Sequence, residues 1–116
     1  MKVIIAGTRT FDSWDIFDRA IEQAGFKITE VFCGCATGVD SFGERFAKAN
    51  NIPIKYFPAD WERFGRAGGP IRNAEMAAEA EALILIWDGK SPGSRNILKN
   101  AKQRGLKIYQ YIYGRS

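Results

Sequence analysis

"ALILIW", residues 82–87, is six apolar residues in a row with no polar position to face water. A strand of that kind is covered on both faces, as in a parallel sheet sandwiched between helices. "KVIIAG" (2–7) reads the same way and ends in a glycine turn. Three further strands are expected at "KITEVFCG" (27–34), "IPIKYF" (52–57) and "KIYQYIY" (107–113), with "ALILIW" central. Between them lie segments of helical period. Ile16, Phe17, Ala20, Ile21 and Ala24 recur between Ser13 and the stop at Gly25. Val39, Phe42, Phe46 and Ala49 define a second helix ending near Asn50 and Asn51, and "PIRNAEMAAEAE" (70–81) a third. Ser94 is placed to cap a fourth, with Ile97, Leu98 and Ala101 inward and Gly105 as its stop. Strict alternation of strand and helix predicts an α/β, Rossmann-like three-layer domain with a mostly parallel sheet of about five strands.

The 116 residues suit one domain spanning 1–116, with 46% hydrophobic and 26% charged residues. No stretch approaches the roughly 18 apolar residues of a membrane span, so no membrane partner is expected. "MKVIIAG" is too short for a signal peptide, which points to a cytoplasmic protein. The net charge of +4 is mild and suits a small anionic ligand better than nucleic acid. Histidine is absent, which excludes Ser-His-Asp and Cys-His catalysis. Cys33 and Cys35 are too few for a zinc site, and the pair reads as small and buried. Nothing calls for a metal or a cofactor.

In an open parallel sheet, ligands bind beyond the carboxyl ends of the strands. The segments expected there are "GTRT" (7–10), "GCATGVD" (34–40), "PADWERFGRAGGPIRN" (58–73) and "DGKSPGS" (88–94). The opposite connections, "AGFK", "ANN" and "QRGLK", are short and plain. Glycines, hydroxyls and cations therefore collect on one rim. Gly34, Gly38, Gly69 and Gly93 let backbone amides approach an oxyanion, and Thr8, Thr37, Ser91 and Ser94 offer hydroxyls. Arg9, Arg66, Arg72 and Lys90 supply countercharge. Pro70 reads as a helix's first residue, so that "RAGGPIRN" (66–73), which includes Asn73, presents uncapped amides to a phosphate. Trp61 is a candidate platform for a base, with half-buried packing as the plainer reading.

In order and spacing, "GTR", "GCATGVD", "PADW…G…AGGPIRN" and "DGKSPGS" resemble the YspA-like, cpYpsA-related branch of the SLOG superfamily over essentially the whole chain. That superfamily also contains the DNA-processing protein DprA and the cytokinin-activating LOG enzymes. The resemblance implies a Rossmannoid fold that binds a nucleotide-derived ligand on this rim. It carries onto Gly7, Thr8, Arg9, Gly34, Gly38, Asp40, Gly69, Arg72, Asn73, Gly93 and Ser94, and supplies no defined reaction. LOG enzymes carry P-G-G-x-G-T-x-x-E, whose glutamate helps cleave the N-glycosidic bond. Here Ser94 stands for the threonine and Ile97 for the glutamate. The first expectation is thus a sensing or binding module for a phosphate-bearing nucleotide derivative. The second is an enzyme that cleaves or modifies one, N-glycosidase-like, with Asp40, Asp60 or Asp88 as the carboxylate. The third is single-stranded nucleic acid binding of DprA type, for which +4 is low. Homodimerisation is compatible with all three.

Overall fold

The computed structural model describes residues 1–114. It contains β1 (Lys2–Gly7), α1 (Trp14–Ala24), β2 (Glu30–Cys33), α2 (Val39–Ala49) and β3 (Ile54–Tyr56). There follow a short α3 (Trp61–Phe64), a 3-10 turn (Gly65–Ala67), α4 (Gly68–Glu79), β4 (Ala82–Trp87), α5 (Pro92–Gln103) and β5 (Lys107–Ile112). All strand pairs are parallel, in the order β3-β2-β1-β4-β5. β4 is interior and buried at all six positions, as its composition requires, but the middle strand is β1.

Alternation along the strands feeds two cores. Ile4, Ala6, Phe32, Leu83, Leu85 and Trp87 pack under α4 and α5 with Met76, Ile97 and Ala101. Val3, Ile5, Val31, Ile84 and Ile86 face Phe17, Ala20, Val39 and Ala47 of α1 and α2. Side chains that point alternately up and down a strand produce this division.

The helix ends follow local chemistry. Ser13 Oγ accepts from the amide of Ile16, and Gly25 and Gly105 take the left-handed conformation that closes their helices. Boundaries of four elements, β2, β3, α4 and α5, differ from expectation. Residues 27–29 precede the first ladder pair, Lys2↔Glu30, so β2 starts later. Pro53 lacks an amide, and β3 shrinks to an edge strand whose Lys55 and Tyr56 are exposed. α4 begins at Gly68 rather than Pro70, because the 3-10 turn runs straight into it and the Gly68 amide bonds to the Gly65 carbonyl. It stops at Glu79, where Glu81 turns away and ties both its amide and its carboxylate to the backbone of Lys2. α5 begins at Pro92 with Ser91 as its N-cap, since proline's fixed φ suits a first helical position; Ser94 is its third residue. No helix among the described residues is long and apolar enough to cross a membrane.

Candidate ligand cavity at the sheet's switch point

From β1 the chain moves one way to β2 and β3, and later the other way to β4 and β5. The strand order therefore reverses between β1 and β4, where open α/β sheets leave a crevice. A cavity of about 380 Å³ lies there, within the range of small-molecule sites. Its walls are the end of β1 (Ala6 to Thr10), Asp40 of α2, Arg72, Asn73 and Met76 of α4, and the start of α5 (Ser91 to Ser94, with Ile97). A second cleft of about 570 Å³ is lined by Gly34 to Thr37, Pro58, Ala59 and Trp61. Arg9, Ala36 and Arg72 line both. All four strand-end segments thus contribute.

The start of α5 faces this cavity. Its first-turn amides at Gly93 and Ser94 have no intrahelical acceptor, and the Ser91 side chain does not cap them. A Cβ added at Gly93 would meet nothing within 4 Å. Ser94 is buried against the cavity, and Ser91 Oγ is a buried hydroxyl with no hydrogen-bond partner among the described residues. Proton donors and the positive end of a twelve-residue helix therefore point at one spot.

Two guanidinium groups add charge. Arg9 is exposed, and Arg72 donates from Nε to Asn73 Oδ1 and from Nη1 to the Gly34 carbonyl. Neither forms an ion pair among the described residues. Asp40 is 6% exposed, with Oδ2 accepting from the Ala36 amide at 3.3 Å. Burial pushes its carboxyl up to about 6, against the opposing pull of the Ala36 amide, Arg72, the Gly7 amide and Arg9. An ideal Cβ on Gly34 would lie 2.6 Å from Arg72 Nη1 and 2.8 Å from Asp40 Oδ2. The missing side chain is what allows the two groups to converge.

Several of the expected ligand residues are also engaged within the fold. Gly38, at φ +68°, lies against the backbone of Thr8 and Arg9, where any side chain would collide. Gly69 is not a bare anion loop. With Gly68 it forms a flat seat for the Trp61 ring, to which Cβ atoms there would come within 3.2 Å. Within "RAGGPIRN" the Gly68 amide is taken by the Gly65 carbonyl, and Arg66 and Lys90 line neither space. Thr37 Oγ1 donates to the Arg9 carbonyl, and Thr8 Oγ1 accepts from the Asp88 amide. Asn73 lines the cavity but is occupied, donating to Asn96 Oδ1 and the Gly93 carbonyl. Asp60 caps α3 through the Arg63 amide. Asp88 Oδ1 accepts from the amides of Lys90 and Ser91, which holds its carboxyl below the usual range. Of the three candidate carboxylates, Asp40 alone lines the cavity. Cys33 is buried, but Cys35 is exposed, at φ +65°, on the second cleft. Met76 and Ala36 also line the site. Met76 could have been placed by its position four residues after Arg72 on the same helix face, whereas Ala36 carries no signal.

Comparison with known proteins agrees with this architecture. The sequence profile of YAcAr, the YspA, cpYpsA-related SLOG family, matches residues 1–64, more than half of the chain. The Gene 61 protein of Mycobacterium phage D29 is 27% identical over 120 residues, covering 95% of each chain. Among solved structures, DNA processing protein A (DprA) from Streptococcus pneumoniae superposes with a TM-score of 0.70 at 17% identity. That superposition covers 94% of this chain and 49% of the DprA chain, so this chain spans about half of its length.

Proposed function

Because the chain belongs to the YspA, cpYpsA-related SLOG family, we propose that it binds a phosphate-bearing nucleotide or nucleotide derivative and acts as a sensing or binding module. The carrying observation is the start of α5. Unfilled amides at Gly93 and Ser94, flanked by the hydroxyls of Ser91 and Ser94, open into a cavity that also receives Arg9 and Arg72. The phosphate sits there. Arg9 and Arg72 then lead from the cavity into the second cleft, where Trp61, half exposed on its glycine seat, offers a face to the base.

One observation favours a second reading, in which the bound nucleotide is turned over. Asp40 lines the same cavity with its carboxyl at about 6, a value suited to proton transfer near neutrality.

A thermal-melt panel of nucleotides, with chromatography of whatever co-purifies, tests the binding reading. A ligand at about 100 times its Kd adds roughly 2.7 kcal/mol, which is several degrees for a domain of this size. Melts that stay flat across the panel at millimolar ligand overturn it.

A further inference from the structure

A cavity built for an anion has no evident use for a buried carboxylate, yet Asp40 lines this one at 6% exposure. No lysine or arginine lies within ion-pair distance of it among the described residues. Its donors are backbone amides alone: that of Ala36, long at 3.3 Å to Oδ2, and that of Gly7, which also bears on it. An ionised carboxylate only accepts, and its two oxygens have room for about four donors. A ligand that fits must therefore bring a donor to this spot as well as an anion to α5. A phosphate dianion cannot be both.

Two parts of a nucleotide carry such donors: the hydroxyls of the sugar, and the amino or ring N–H groups of the base. The order of groups along the site separates them. Asp40 shares its cavity with Ser91, Gly93 and Ser94, where the phosphate is placed, and does not line the cleft of Trp61, where the base is placed. Between phosphate and base lies the sugar. We infer that Asp40 accepts a hydrogen bond from a ribose hydroxyl, so that the cavity selects ribonucleotides over deoxyribonucleotides. This rests on the nucleotide reading above. Above pH 6 the carboxyl is ionised and able to play that part.

Isothermal titration of the whole chain at pH 8 with AMP, 2′-deoxy-AMP, 3′-deoxy-AMP and IMP provides the test. Hydrogen bonds to a charged group predict that AMP binds about 10- to 100-fold more tightly than at least one deoxy analogue. IMP, which keeps the ribose and lacks the amino group, should match AMP. Asp40→Asn should bring AMP down toward the deoxy analogue while leaving the protein folded. Equal binding of AMP and both deoxy analogues overturns the inference and leaves the nucleotide reading standing. So does a ribose preference that survives Asp40→Asn, or a loss of affinity that follows the amino group instead. If none of the four nucleotides binds, the nucleotide reading falls and the inference falls with it.

Discussion

Arg72 donates from Nη1 to the carbonyl oxygen of Gly34, tying the first turns of α4 to the end of β2. The contact exists because Gly34 has no side chain: a Cβ there would press on Arg72 Nη1 and Asp40 Oδ2 together. Both neighbours are the ends of side chains, which can move aside more cheaply than backbone.

Gly34→Ala should therefore separate binding from folding. Overpacking costs about 1 kcal/mol where flexible groups yield, so the melting temperature should fall only slightly. The guanidinium, however, is pushed off its seat at the junction of the two clefts, and nucleotide affinity should fall about tenfold or more. Arg72→Ala should cost more on both counts, since it also leaves the buried Gly34 carbonyl unpaired, a loss of about 1–3 kcal/mol. Calorimetric binding and thermal melts of the two variants check this. Unchanged affinity in Gly34→Ala would mean that Arg72 does not touch the ligand.

Asp40 makes a separate claim about stability. Its folded carboxyl titrates near 6, above the 3.8 of an ordinary aspartate, so between these values the folded state holds more protons than the unfolded one. Stability then declines as pH rises through that window, and above pH 6 the ionised group works against the fold. The groups bearing on it are Arg72 of α4, Arg9 of the first loop, the amides of Ala36 and Gly7, and the neighbouring Cys33. Asp40→Asn removes the buried charge. It should stabilise the ligand-free protein at pH 7.5 by on the order of 2–3 kcal/mol, a gain that vanishes near pH 4. Denaturant unfolding at several pH values measures it; an Asn variant less stable than the parent at pH 7.5 contradicts it.

The sheet was legible in the sequence because its signal is local. Uninterrupted runs such as Ala82–Trp87 admit one environment, and the order of helices and strands does the rest. The rim was legible as a collection of residue types but not as contacts. Gly69 and Gly38 have the composition of a phosphate loop, yet their neighbours, Trp61 and the backbone of Thr8 and Arg9, come from elsewhere in the chain. Asp60 and Asp88 likewise carry catalytic chemistry, but each is held by an amide two or three residues away. The short α3 carries no periodic signal, because four residues are too few to show a helical period.

Single-stranded DNA should bind weakly. A net charge of +4 and a compact cavity offer few phosphate contacts. Affinity built on phosphate neutralisation falls with salt at a slope near 0.7 per contact on single strands. Fluorescence anisotropy with a labelled oligonucleotide should show binding lost before physiological salt. Submicromolar affinity that persists there would favour the nucleic-acid reading over the nucleotide one.

Release of base from AMP should be absent or very slow. In LOG enzymes a glutamate on the helix after the glycine-rich turn helps break the N-glycosidic bond, and the resemblance places Ile97 at that position. Ile97 lines the cavity at 2% exposure, so its apolar side chain occupies the wall where the acid would stand. Loss of one acid–base group removes a factor of about 100 to 10,000 in rate. The proposed phosphate seat does not depend on that side chain, since it draws on Gly93, Ser94 and the two arginines. The expected behaviour is binding without turnover. AMP in large excess over the protein, incubated overnight and resolved by chromatography, gives the answer, and adenine formed over many turnovers would overturn it. Asp40 would then be the group to examine, because Asp60 and Asp88 lie outside the cavity lining and are already engaged by backbone amides. Asp40→Asn abolishing that release, with AMP still bound, would turn the second reading of the cavity into the first.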